Sequence, residues 1–423
     1  MPRHRHVLIA AAAALVLSVS STGCAPTEGG EVTLRLVAAD YEVGGHSDST
    51  ERYWGELTEA FESAHPGISV QVEVESWEHV DRKIADMVKA GEAPDLAQSG
   101  TYADYAARGE LYAADQLLSV PVQANFLRSL TEAGEYERVQ YGMPFAASTR
   151  LLFYNKDLFA EAGIKTPPAT WDDVKEAAKR LKSRTRVRHP IALPFGPEEA
   201  QIEAMVWMLG GGGGYTALNG SYMINSQENI DSLRWVKENL VEAGLIGPVP
   251  PGRLNRKDAY AAFLHGEVGM VNGYPSLIQA AEAEGMHVGM TAVPGHEREA
   301  TSAPGVVDWI MAFKRNGHRE EMGKFLDFLF SDENVREFAA RNNLLPVTST
   351  VTYQMEADDK HRNLRAFLQE MPHAVLPPLG KTSWASVSES TKRNIGQAMT
   401  PDGSPEGSLR RIADDAYRAE HGH

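Results

Sequence analysis

The chain predicts an α/β protein of two or three domains, and three observations carry that reading. Apolar residues alternate with polar ones in short runs, those runs take turns with segments of helical period, and 423 residues is long for a single domain. Val32, Leu34 and Leu36 alternate as in a strand, and Tyr53, Trp54, Leu57 and Phe61 then recur at helical spacing until His65-Pro66-Gly67 stops them. Ile68, Val70, Val72 and Val74 alternate again. A helix with Val80, Ile84, Met87 and Val88 on one face ends at Gly91, after which residues 93–96 read as a short buried strand. This succession argues for a largely parallel sheet, with ligands gathering at the loops that leave the strands' carboxyl ends.

The same rhythm resumes beyond Pro144. Residues 151–154 form an apolar strand, and Thr170-Trp171-Asp172-Asp173 reads as an N-cap with an acid three residues on, followed by Val174, Ala177, Ala178 and Leu181 on one face. Residues 191–195 are a further candidate strand and 202–209 a buried helix, while Asn219-Gly220 marks a turn between Tyr215 and Ile224. Helices are expected at 229–241 and 257–265, strands at 268–272 and 288–293, and an apolar segment at 306–313. An amphipathic helix through Met322, Phe325, Leu326 and Leu329, a helix capped by Ser331 and a helical tail complete the chain.

The N-terminus carries Arg3 and Arg5, an apolar run over 7–19, and then Ser21-Thr22-Gly23-Cys24. That run is too short to span a bilayer as a helix. Small residues before a lone cysteine resemble a lipobox, although Ser21 stands where an aliphatic residue is usual. The expectation is a lipoprotein signal peptide over 1–23 and a tether over 24–30. The chain is then exported and held at the outer face of the cell membrane by a lipid on Cys24. With no second cysteine an internal disulfide is excluded, so the core must hold the chain together.

A hydrophobic fraction of 43% and a charged fraction of 23% suit a globular chain. Removing the two leader arginines takes the formal charge from −16 to −18, which argues against nucleic acid, since phosphate binding needs clustered Lys and Arg. The basic stretch 179–188 reads as the solvated end of a helix. The 14 histidines are scattered without His-x-x-x-His, so no metal site is expected. Gly380-Lys381-Thr382 mimics the end of a phosphate loop, but Val375 stands where its first glycine belongs. No Gly-x-Ser-x-Gly elbow supports a hydrolase serine.

Four segments in order resemble the bacterial extracellular solute-binding protein family 1, the family of maltose-binding-protein-like lipoproteins of ABC importers. They are Ala90-Gly91-Glu92-Ala93-Pro94-Asp95-Leu96; Leu152-Phe153-Tyr154-Asn155-Lys156-Asp157-Leu158-Phe159 with Pro167-Pro168-Ala169-Thr170-Trp171-Asp172; residues 261–270; and residues 325–338 with Leu345-Pro346-Val347. The resemblance implies a type II periplasmic-binding-protein-like fold, in which two α/β lobes are joined by a hinge of about three chain crossings. With crossings near Ala146, Pro294 and Ser331, the first lobe takes residues 31–146 and 294–331, and the second takes 147–293 and 332–423. It further implies a monomer without cofactor or catalysis, which captures a sugar between its lobes and delivers it to a membrane permease.

A sugar presents hydroxyls and patches of aliphatic C–H, so its site needs carboxylate or amide groups beside flat rings. Carried over by segment, the resemblance puts Tyr41 and Glu42 after the first strand, Trp77 after the second, and Gln98, Ser99 and Tyr102 in the loop after Asp95. Ser148 falls where a family member binding maltose has a carboxylate, which shifts polar work to Thr149 and Arg150. Glu198, Glu199 and Gln201 sit in a loop leading into a helix. Asn272 and Tyr274 occupy a loop where the family often has a stacking tryptophan, with Tyr274 as substitute. Asp308 and Trp309 follow, and Trp384 matches a late stacking tryptophan. Trp384 also reads as core, and Glu198 and Glu199 as acids favouring a helix N-terminus; Trp54, Trp171, Trp207 and Trp235 read as packing. The few stacking residues favour a mono- or disaccharide, and Arg150 as the one plausible cleft cation favours a neutral ligand. A polyol, glycerol phosphate or peptide on the same scaffold is the alternative, and a glycoside hydrolase with paired carboxylates a remote one.

Overall fold

The computed structural model describes residues 31–41, 49–77, 79–297, 300 and 302–422. The leader, Cys24 and the candidate Glu42 lie outside the described residues. The strands in chain order are β1 (Val32–Ala39), β2 (Ile68–Glu75), β3 (Leu96–Ser99), a short hairpin of β4 (Glu135–Tyr136) and β5 (Val139–Gln140), and β6 (Met143–Thr149). After them come β7 (Leu151–Asn155), β8 (His189–Ile191), β9 (Val268–Gly273), β10 (Val288–Thr291) and β11 (Gly305–Ala312).

Two sheets organise two lobes. The first runs β2-β1-β3-β11-β6 and the second β10-β7-β9-β8. β1 lies parallel to β2 and β3, with helices Ser49–Ala64 and Val80–Ala90 as the crossovers that parallel neighbours require. β8 is also parallel to β9, but β11 is antiparallel to β3 and β6, and β7 is antiparallel to β9 and β10, so the expectation of a largely parallel sheet holds only in part. β11 enters the first sheet from the second lobe, with no crossover helix within its own sheet to fix a parallel direction.

Local chemistry sets several element ends. Gly91 closes helix Val80–Ala90 at φ 76°, a left-handed conformation that glycine adopts without strain. Thr170 caps helix Trp171–Arg184 by accepting the Asp173 N–H at 3.1 Å, and the Asp173 carboxylate takes the Thr170 N–H at 3.0 Å. Two strands depart from expectation because of proline. Pro94 has no N–H to give a ladder, so β3 begins at Leu96 and carries Gln98 and Ser99 within the strand rather than in a loop. Pro194 likewise keeps β8 from extending toward Phe195, and Gly196 turns to the Leu254 carbonyl at 2.9 Å.

Only Arg150 separates β6 from β7, so the chain leaves the first sheet and enters the second within one residue. Ser148 and Thr149, expected in the second lobe, complete β6 in the first sheet. Helix Asp332–Asn342, expected there too, buries Val335, Phe338 and Ala339, and Phe338 packs against Tyr53 at 4.9 Å and Phe145 at 4.3 Å in the first lobe. Among the described residues no helix is long and apolar enough to cross a membrane.

Candidate functional site

A relay of hydrogen bonds builds the first lobe's contribution. The Ala39 N–H donates to Gln98 Oε1 at 3.0 Å, the Gln98 amide donates to the Tyr41 hydroxyl, and that hydroxyl donates to Asp308 Oδ2 at 2.7 Å. The ends of β1 and β3 thus fix one carboxylate carried mid-strand by β11. Trp77, after β2, stands edge-on to the Tyr41 ring with centroids 5.6 Å apart.

The second lobe answers with a cationic pair around one carboxylate. Arg150, fully buried at the crossing, donates from Nη1 to the Asn272 carbonyl at 3.0 Å and from Nη2 to Glu199 Oε2 at 2.8 Å. Its guanidinium lies 3.9 Å from the centroid of the Tyr274 ring, and the Tyr274 hydroxyl donates to Glu199 Oε1. Arg256, first residue of helix Arg256–Leu264, places Nε 2.9 Å from Glu199 Oε2 and donates from Nη2 to Glu198 Oε1 at 2.7 Å. Burial works against the charge of Arg150, and the facing Tyr274 and Glu199 outweigh it and hold the group protonated. Behind them Glu203 Oε1 accepts from Trp207 Nε1 at 3.0 Å and from Asn272 Nδ2 at 3.2 Å.

Burial pushes the Asp308 carboxyl from 3.8 up to about 7; the Tyr41 hydrogen bond opposes the rise, and Glu199 and Asp81 reinforce it. Glu199 belongs to the second lobe and Asp308 to the first, so the two walls stand within electrostatic reach. Burial also pushes Glu203 from 4.5 up to about 7 against the pull of Arg150, Trp207 and Asn272. A carboxyl raised in the folded state holds its proton more tightly there than in the unfolded chain. Its stabilisation is complete below pH about 4, and is lost as the pH rises through the folded value. Ligand-free protein is therefore expected to melt at a higher temperature at pH 5 than at pH 8. Thermal scans should show that gap narrowing in Asp308→Asn and Glu203→Gln, and a gap unchanged in both would trace it to other groups.

Other candidates stand elsewhere. Trp309 is 0% exposed and its ring meets Tyr102 edge-on at 5.3 Å. Successive strand residues face opposite sides, so Asp308 facing Tyr41 turns Trp309 into the first lobe's core. Tyr102 is equally buried, its hydroxyl 2.6 Å from the Ala133 carbonyl and 2.8 Å from that of Glu135. Both rings pack within the first lobe. Ser99 Oγ donates to Asp81 at 2.6 Å and Thr149 Oγ1 to the Pro304 carbonyl at 3.1 Å, so both hydroxyls serve the fold. Trp384 packs edge-on against Tyr215 at 4.9 Å, and the Tyr215 hydroxyl donates to the Gln201 carbonyl.

Sequence reasoning missed Arg256, Glu203 and Tyr260, whose hydroxyl takes the Tyr274 N–H at 3.0 Å. Glu203 carried a legible signal, as the lone carboxylate in the otherwise apolar segment 202–209. Arg256 carried none, being 57 residues from Glu199 in sequence. A separate groove of about 420 Å³ on the second lobe is lined by Trp171, Trp235 and His296 among others, and includes none of the cleft residues.

The sequence profile of the bacterial extracellular solute-binding proteins matches residues 46–336. The chain belongs to this family. It is a family of binding proteins rather than enzymes, working outside the cytoplasm. A binding protein of Brucella abortus (strain 2308) is 28% identical over 390 residues, covering 91% of this chain and 92% of its own. The sn-glycerol-3-phosphate-binding periplasmic protein of Escherichia coli (strain K12) is 25% identical over 236 residues, 52% of each chain. An ABC transporter solute-binding protein of Thermotoga lettingae, solved with alpha-D-tagatose, superposes with a TM-score of 0.79 at 19% identity, covering 92% of this chain and 99% of the other. The fold is accordingly the two-lobed type II arrangement that the sequence predicted.

Proposed function

We propose that this chain is the substrate-binding component of an ABC importer, taking a neutral sugar of one or two rings between its lobes and passing it intact to a membrane permease. The observation that carries the reading is that the Asp308 carboxyl, held by Tyr41 and Gln98, feels the charge of Glu199, the carboxylate on which Arg150 and Tyr274 converge in the second lobe. Together they offer carboxylate, amide and phenol groups beside the half-buried ring of Trp77, which is the chemistry a polyhydroxylated ligand needs. Ser148 Oγ, Gln201 Oε1 and Glu203 Oε2 are buried without partners among the described residues, and ligand hydroxyls would complete them. Both arginines are matched by Glu198 and Glu199, which favours an uncharged ligand. Ligand bridging both walls shifts the population toward a closed form that the permease recognises. In this reading Cys24 bears the lipid anchor and the protein acts as a monomer.

A thermal-shift screen of mono-, di- and oligosaccharides, polyols, peptides and glycerol 3-phosphate tests it. A neutral sugar at a hundred times its Kd should stabilise the protein by about 2.7 kcal/mol, a rise of several degrees in Tm. A response confined to peptides or to glycerol 3-phosphate would sink the proposal.

A further inference from the structure

We infer that Glu199 is a built-in counter-ion seated in an oxyanion site formed by Arg150, Arg256 and Tyr274, and that it sets the cleft's preference for uncharged ligands over phosphates and carboxylates. The inference rests on the neutral-ligand reading above and deepens it.

Two guanidinium groups and one phenol converge on this single carboxylate. Oε2 lies 2.8 Å from Arg150 Nη2 and 2.9 Å from Arg256 Nε, while Oε1 takes the Tyr274 hydroxyl. Arg150 Nη2 and the Tyr274 hydroxyl donate to the carboxylate, and Arg256 Nε adds charge at ion-pair distance without a hydrogen bond of its own, a donor set that suits a bound phosphate or carboxylate. Glu199 does not serve its own helix, because its side chain makes no capping bond to helix Ala200–Gly210. Arg256 retains Glu198 as a partner at 2.7 Å, and Glu198 is itself tied to the Lys257 N–H at 3.0 Å. Arg150 has Glu199 as its one ion-pair partner among the described residues. Arg150 does not depend on Glu199 for its position. Arg150 is pinned separately by the Asn272 carbonyl at 3.0 Å and by the Tyr274 ring, neither of which cancels a formal charge. An anionic ligand approaching this wall therefore meets a carboxylate already in the place it would occupy, whereas a sugar hydroxyl can share that carboxylate as an acceptor.

The test measures inorganic phosphate and acetate binding to full-length wild type, Glu199→Ala and Glu199→Gln by calorimetry and thermal shift, at ionic strength matched with sodium chloride. Wild type should refuse phosphate. Glu199→Ala should bind it at least about tenfold more tightly, the equivalent of one regained charge-assisted hydrogen bond. Acetate should restore part of the Tm that Glu199→Ala loses, and matched chloride should not. Glu199→Gln keeps the side chain's volume and should show a smaller gain, so it reads the same effect if Glu199→Ala folds poorly. The gain should shrink in Glu199→Ala/Arg256→Ala, where Arg150 alone supplies the charge. Variants that refuse phosphate as firmly as wild type, while wild type binds its sugar, would overturn the counter-ion and leave the sugar reading standing. Wild type that itself binds phosphate or glycerol 3-phosphate would overturn both.

Discussion

Trp309→Ala is expected to cost the fold about 3 to 5 kcal/mol, the range for emptying a large aromatic site in a core, while leaving ligand affinity close to wild type. The ring is fully buried, and its surroundings are shaped to it. A Cβ added at Gly142 would lie 2.9 Å from Trp309 Cε3 and 2.9 Å from Tyr102 Cδ1, so glycine there is what lets both rings close on the backbone. Gly134 approaches the same ring from the hairpin side. Nothing in that shell can collapse to fill the space without moving the backbone. Urea denaturation and calorimetry on the same variant separate stability from binding. A variant as stable as wild type that binds its sugar much more weakly would return Trp309 to the cleft.

Arg150→Ala should damage both properties. Removing one partner of a buried ion pair costs about 3 to 5 kcal/mol, because the remaining charge loses its compensation. Here the loss strands Glu199 with Arg256 and frees the Asn272 carbonyl and the Tyr274 ring from the group that aligns them. Tyr274→Ala removes the other half of the same stacked pair. The two losses should therefore fall short of additivity by about 0.5 to 3 kcal/mol in a double-mutant cycle. Strict additivity would show that the cation and ring act independently and that the second wall is not one unit.

The fold was legible where periodicity and capping agreed. Val32, Leu34 and Leu36 gave β1, and Thr170 with Asp173 gave the start of helix Trp171–Arg184. Strand direction was not legible, because alternation is the same in parallel and antiparallel strands. Sequence resemblance singled out Asp308 and Trp309 on β11, yet it could not tell which of the two adjacent residues faces Tyr41. Asp308 does face Tyr41, and Trp309 points the other way. Arg150 was found because it abuts a recognisable strand. Arg256 was hidden because its meaning depends on Glu198 and Glu199, and those contacts exist only once the chain between them has folded.

The most direct check is calorimetric titration of the best sugar from the screen into Asp308→Ala and Tyr274→Ala, one variant from each lobe. Each should weaken affinity by at least about tenfold, as loss of a good hydrogen-bonding or stacking partner does. Affinity lost on one lobe alone, or on neither, would contradict a ligand held jointly by the two.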